Sequence, residues 1–193
     1  MPTYDPDLLD ALEGCVVGRV AGTVWRQVLA PSSVTRSNLR GGRWNPSGVE
    51  TLYCSLDPLT AASEIDNLLG AQPVPIRRQR LTYPLRAQLS RVADLRPHPW
   101  GSAFAYEFDL EDAEQCQMIG AAASWLELGA LVVPSLRSPG DNLAILVTNL
   151  AAGDFYEPDG SYDYPPGPPS DVAYQPLAPV ETGKVMTGGE FEI

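Results

Sequence analysis

The sequence predicts an α+β fold, a compact mixed or antiparallel β core flanked by helices. Three observations lead there. Helix-like and strand-like segments follow one another in mixed order, without the regular alternation of a doubly wound sheet. Two short runs, Leu131-Val132-Val133 and Leu143-Ala144-Ile145-Leu146-Val147, are almost wholly apolar, as strands buried on both faces are. At 193 residues and 44% hydrophobic content, the chain is long enough for one sizeable core and short for two.

The first element is a short helix over 7–14, where Leu8, Leu9 and Leu12 make one apolar stripe and Gly14 is a stop. Residues 22–29, Gly-Thr-Val-Trp-Arg-Gln-Val-Leu, read as a strand rich in β-branched and aromatic side chains. A polar, turn-forming stretch follows to Gly42, and Thr51 to Ser55 reads as the next strand. Asp57-Pro58 has the form of an N-cap with proline at the first helical position, opening a helix to about Leu69. Leu59, Ala62, Ile65 and Leu69 are its expected core face, with Glu64 at the core margin. Pro73 and Pro75 break the chain. One or two strands are expected within 76–89, and the six arginines from Arg77 to Arg96 read as a solvated strand face or a basic patch. Glu111 to Leu128 is expected to be the longest helix, capped by Gly129. The polar loop 134–142 separates the two apolar strands and is of the kind that carries binding groups.

Composition narrows the function. The formal charge of −11 disfavours direct nucleic-acid binding, which needs a basic face. Residues 154–193 hold eight acidic residues against Lys184, a net of −7, which leaves −4 for the body. Every cation in that body is an arginine. The tail, with its run Tyr164-Pro165-Pro166-Gly167-Pro168-Pro169, is read as an extension without a core of its own, so the expected domain spans 1–153. No apolar run approaches the roughly 18–20 residues of a membrane span. The acidic, proline-containing start is unlike a signal peptide, and the expected location is cytoplasmic. Cys15, Cys54 and Cys116 have no metal-ligand spacing, and His98 is the only histidine. A metal site and a Ser-His triad are therefore not expected.

Candidate chemistry gathers in the stretch Leu39-Arg40-Gly41-Gly42-Arg43-Trp44-Asn45-Pro46-Ser47-Gly48, then Leu52-Tyr53-Cys54-Ser55, then Ala61-Ala62-Ser63-Glu64. A guanidinium, a phenol and a carboxylate fall on three consecutive elements, where one small anionic ligand with an electrophilic carbon touches all three. These blocks resemble the RES domain family. Trp25-Arg26 matches its early aromatic-Arg strand. Gln117-Met118-Ile119-Gly120 with Trp125 matches its Gln-Gly-Trp helix, and Val133-Pro134-Ser135 with Asn142 to Asn149 matches its Pro-Ser loop and closing strand. The similarity spans roughly 20–150.

The resemblance implies a fold like that of ADP-ribosyltransferases and a toxin of a bacterial toxin–antitoxin pair. Its partner would be an Xre-type helix-turn-helix antitoxin. NAD would be its substrate rather than a cofactor, cleaved at the nicotinamide–ribose bond by a glycohydrolase or by a phosphorylase using inorganic phosphate. An ADP-ribosyltransferase acting on a protein target is the alternative, and a catalytically silent partner-binding protein is the alternative from another class. A homodimer is left open. Carried over by motif, the catalytic residues are Arg43, Tyr53, Glu64 and Ser135, and Arg26, Asn45 and Ser138 are expected to bind substrate. Glu64 would stabilise positive charge at the ribose anomeric carbon, Arg43 would hold a phosphate or ribose oxygen, Tyr53 would meet nicotinamide or ribose, and Ser135 would bind phosphate or the acceptor, with Ser138 as its rival. The acidic tail and the arginines from Arg77 to Arg96 are not part of the family pattern.

Overall fold

The computed structural model describes residues 4–71, 78–96, 104–160 and 162–163. Pro73, Pro75, Arg77, His98 and the proline-rich run at 164–169 lie outside them. Helix α1 (Pro6–Gly14) is capped by the Asp5 carboxylate, which accepts from the Asp7 N–H. It leads into β1 (Val16–Leu29), longer than the strand expected from Gly22. After a long loop come β2 (Thr51–Ser55) and α2 (Pro58–Gly70), capped by Asp57 as the sequence predicts. Then follow β3 (Arg80–Asp94), α3 (Ala113–Trp125), β4 (Ala130–Pro134), β5 (Asp141–Leu146), β6 (Phe155–Pro158) and β7 (Tyr162–Asp163).

The sheet is mixed and closes on itself. Its order is β1-β2-β5-β4-β3, and β3 pairs back to β1 along nearly the whole length of both strands. Every pairing is antiparallel except β3 with β4. The ring has a seam: β1 and β2 share a single register pair, Trp25 with Ser55.

Strand alternation sorts the apolar side chains into two cores. Val24, Leu52, Leu89, Val132 and Leu143 belong to one, drawn from all five ring strands. On the opposite face, Leu131, Val133, Ala144 and Leu146 pack with Leu8 and Leu12 of α1 and Ile119 and Ala123 of α3. Three helices thus flank a mixed sheet, and the expected α+β class holds.

Three details differ from expectation. Leu59 is 72% exposed, and the buried stripe at the start of α2 is Thr60, Ala61 and Ala62. The helix lies against β1 on its small side chains, which permits a close approach that Leu59 would prevent. Helix α3 is 13 residues, the same length as α2, and it stops at Trp125 rather than Leu128. Glu127, not Gly129, takes the left-handed conformation after it (φ 58°). Gly129 serves another purpose, because a Cβ there would press on the Ser90 carbonyl of β3.

Past Gly153 the sheet continues, with β6 and β7 both pairing with β3. Asp154 accepts from both the N–H and the hydroxyl of Ser90, and Arg86 pairs with Glu157 at 3.1 Å. The described arginines of β3 are therefore engaged rather than arrayed as an open patch. Arg80 bonds Gln27, Asp66 and the Ala62 carbonyl, joining β3, β1 and α2.

Candidate active site

The loop 38–49 bears Arg43, and four residues, Tyr53, Asn45, Gln117 and Gly120, fix its shape. The Tyr53 hydroxyl, on β2, accepts from the Trp44 N–H (2.9 Å) and donates to Asn45 Oδ1 (2.6 Å). Asn45 is wholly buried, and its amide donates to the carbonyls of Asn38 and Val49. From α3, Gln117 donates to the Gly42 carbonyl at 2.8 Å. One turn on, Gly120 lets the Trp44 carbonyl sit where any side chain would stand. The glycines and the Gln-Gly helix thus serve one end: they pin the backbone on both sides of Arg43.

Arg43 Nη1 donates to the Leu110 carbonyl at 2.7 Å and more distantly to that of Glu111. Arg26 of β1 bridges the seam. Its Nη1 donates to the Tyr53 carbonyl on β2 (3.1 Å) and its Nη2 to that of Arg36 (2.8 Å). Burial holds the Arg26 guanidinium below its ordinary pKa. Among the described residues neither Arg26 nor Arg43 has an ion-pair partner. Two half-buried cations without a carboxylate partner among the described residues favour an incoming anion.

The carboxylate is held separately. Glu64 Oε1 accepts from Ser135 Oγ and from Asn142 Nδ2, each at 2.8 Å. Its other oxygen receives no hydrogen bond from the described residues. Asn142 is held in turn by Ser55, whose hydroxyl donates to its Oδ1 at 2.7 Å. The β2–β5 register sets that contact, since Ser55 and Asn142 are register partners. Ser135 Oγ also accepts the N–H groups of Arg137 and Ser138, closing the tight Pro-Ser loop. Gly140 allows that loop to lie against Asp57 and Thr60 at the start of α2.

A cavity of about 410 Å³ joins these groups, within the roughly 300–1,000 Å³ usual for small-molecule sites. Arg26, Arg43, Tyr53, Glu64 and Asn142 line it, with Trp25 and Ile65 as apolar wall. Trp25 is 2% exposed, and its buried indole N–H has no hydrogen-bond partner among the described residues.

The chain matches the RES domain over residues 16–165. It belongs to the RES domain family. The matched span begins with β1 and runs just past β7, so in this RES chain it takes in the whole ring and both added strands. Comparison with curated proteins gave no match. Among solved structures, the RES chain is similar to one from the crystal structure of the M. tuberculosis MbcT-MbcA toxin-antitoxin complex, with a TM-score of 0.68 at 20% identity. The likeness covers 83% of this chain and 93% of that one, and at such identity it speaks to the fold.

Of the residues expected from the RES resemblance, Arg26, Arg43, Tyr53 and Glu64 come together on one cavity. Ser135 stands directly behind Glu64. Asn45 and Ser138 do not line the cavity: Asn45 is an internal brace of the arginine loop, and Ser138 Oγ shares a 2.7 Å hydrogen bond with Thr60 on α2. Two residues carry the site without having been assigned a role, Asn142 and Ser55. The signal for Asn142 was present, a polar residue opening an otherwise apolar strand just after the Pro-Ser loop.

Proposed function

We propose that this RES-family chain is the toxin of a toxin–antitoxin pair and depletes NAD by cleaving its nicotinamide–ribose bond. The observation that carries the reading is Glu64 itself, a carboxylate oriented by two neutral donors and sharing a cavity with two cations that lack carboxylate partners. Membership in the RES family supports the chemistry. The similarity to a chain from a toxin-antitoxin complex supports a protein antitoxin as partner, which we take to be of the Xre helix-turn-helix type.

In this reading the NAD pyrophosphate lies against Arg26 and Arg43, and the nicotinamide ribose lies beside Glu64. The C1′–N bond breaks, and its electron pair neutralises the pyridinium nitrogen. Nicotinamide leaves neutral, so no strong general acid is needed. The positive charge that develops on C1′ and the ring oxygen falls beside Glu64 Oε2, while Ser135 and Asn142 keep the carboxylate from turning away. Water or inorganic phosphate then forms the new C1′–O bond, and water loses a proton to solvent. Hydrolysis and phosphorolysis differ only in that acceptor. The reaction draws on the cytoplasmic NAD pool.

The test is to incubate purified protein with NAD, with and without inorganic phosphate, and to follow nicotinamide and the ribosyl product by chromatography. Nicotinamide release that Glu64→Gln lowers by roughly a hundredfold or more is expected, the loss typical of a preorganised transition-state group. ADP-ribose as product would identify hydrolysis, and its 1-phosphate phosphorolysis. No release in either buffer would overturn depletion and leave transfer to a protein acceptor or a silent binding module.

A further inference from the structure

A second compartment, about 550 Å³, opens beside the first. The two share lining residues that include Arg26, Ile65 and Leu68, so they adjoin one another. The outer compartment is the more polar. Its lining adds Ser32, Arg36 and Arg40, all exposed and none of them part of the first compartment. Among the described residues, Arg36 and Arg40 pair with no carboxylate. Two unpaired guanidiniums in a compartment that Glu64 does not line are not needed for bond cleavage. They would, however, recognise a phosphomonoester, whose oxygens match the guanidinium fork.

We propose that the outer compartment binds the adenosine end of the dinucleotide and that Arg36 and Arg40 recognise a 2′-phosphate on it, making NADP a substrate at least as good as NAD. The inference rests on the reading that the nicotinamide end lies at Glu64. Running outward from there, the pyrophosphate reaches Arg26 at the shared wall and the adenosine ribose enters the outer compartment. A 2′-phosphate on that ribose faces the two arginines, the arrangement by which an arginine accommodates NADP in other dinucleotide sites.

Calorimetry with adenosine 2′,5′-bisphosphate and with 5′-AMP tests it, because neither probe contains nicotinamide or can be cleaved. The bisphosphate is expected to bind at least tenfold more tightly than 5′-AMP, and Arg36→Gln/Arg40→Gln is expected to abolish the difference. Equal affinities, or no binding of either, would overturn the proposal, and a preference that survives the double substitution would remove it from these arginines. Both residues are on the surface, and an unchanged melting temperature checks that the variant is folded. Nicotinamide release from NAD by the wild-type protein is measured alongside. Its absence would count against the cleavage reading, whereas its presence with no bisphosphate preference would count against the outer compartment alone.

Discussion

Ser135 Oγ donates to Glu64 Oε1 across 2.8 Å, from 71 residues further along the chain. The bond joins the Pro-Ser loop after β4 to the middle of α2, and with Asn142 it fixes the carboxylate from two directions. In this geometry the Ser135 hydroxyl proton is directed at the carboxylate.

Removing either donor should weaken catalysis without abolishing it. Hydrogen bonds to charged groups contribute about 1.5–3 kcal/mol. Ser135→Ala and Asn142→Ala are each expected to lower kcat/KM for NAD cleavage by roughly ten- to a hundredfold. Steady-state kinetics checks this, and a Ser135→Ala enzyme as inactive as Glu64→Gln would instead give Ser135 a direct role in the reaction.

Tyr53→Phe should act through the arginine loop. The lost hydroxyl leaves the Trp44 N–H and Asn45 Oδ1 without partners in a buried setting, at about 1–3 kcal/mol of stability. Urea unfolding is expected to show that loss, together with a higher KM. An activity defect at unchanged stability would place the hydroxyl on the substrate.

Arg26→Met keeps an unbranched apolar stem and removes the charge. ADP-ribose affinity, measured by calorimetry, is expected to fall at least tenfold, the loss of one charge-assisted contact to phosphate. Retained affinity would move the pyrophosphate away from the seam.

Stability should fall in alkali. Burial, and for Cys15 the neighbouring Asp94 carboxylate as well, pushes the thiols of Cys15 and Cys54 up from 9.0 to about 12. Folding keeps these protons on while the unfolded chain releases them near pH 9. Their contribution is therefore fully present below that pH and is lost as pH rises from 9 toward 12. Burial shifts the Tyr53 phenol upward too, which adds in the same direction. Urea midpoints at pH 8, 9.5 and 11 are expected to decline, and Cys15→Ala/Cys54→Ala should flatten the decline.

Local signals were legible where the chain speaks for itself. Asp57-Pro58 announces the start of α2, and Thr51 to Ser55 is the strand its composition predicts. What depends on a distant partner was not legible. The exposure of Leu59 follows from how α2 lies on β1, which no periodicity encodes. The first half of β1 was hidden by Gly18 and Gly22, weak strand formers that are tolerated here because β3 pairs alongside. The site shows the same division. Arg43, Tyr53 and Glu64 fall in one compact motif. Asn142 becomes a partner of Glu64 only through the register of β2 with β5, and Asn45, two residues after Arg43, turns inward to brace the loop.

Gly120 has a genetic consequence. The four glycine codons differ only in their third base, so every change in either of the first two that is not a stop installs a side chain against the Trp44 carbonyl. Such a change pushes the loop bearing Arg43 away from α3 while leaving every polar group of the cavity intact. On the proposed reading of the chain as a toxin, a culture forced to survive it unneutralised should accumulate escape mutants at that codon as readily as at the codons for Glu64 or Arg43.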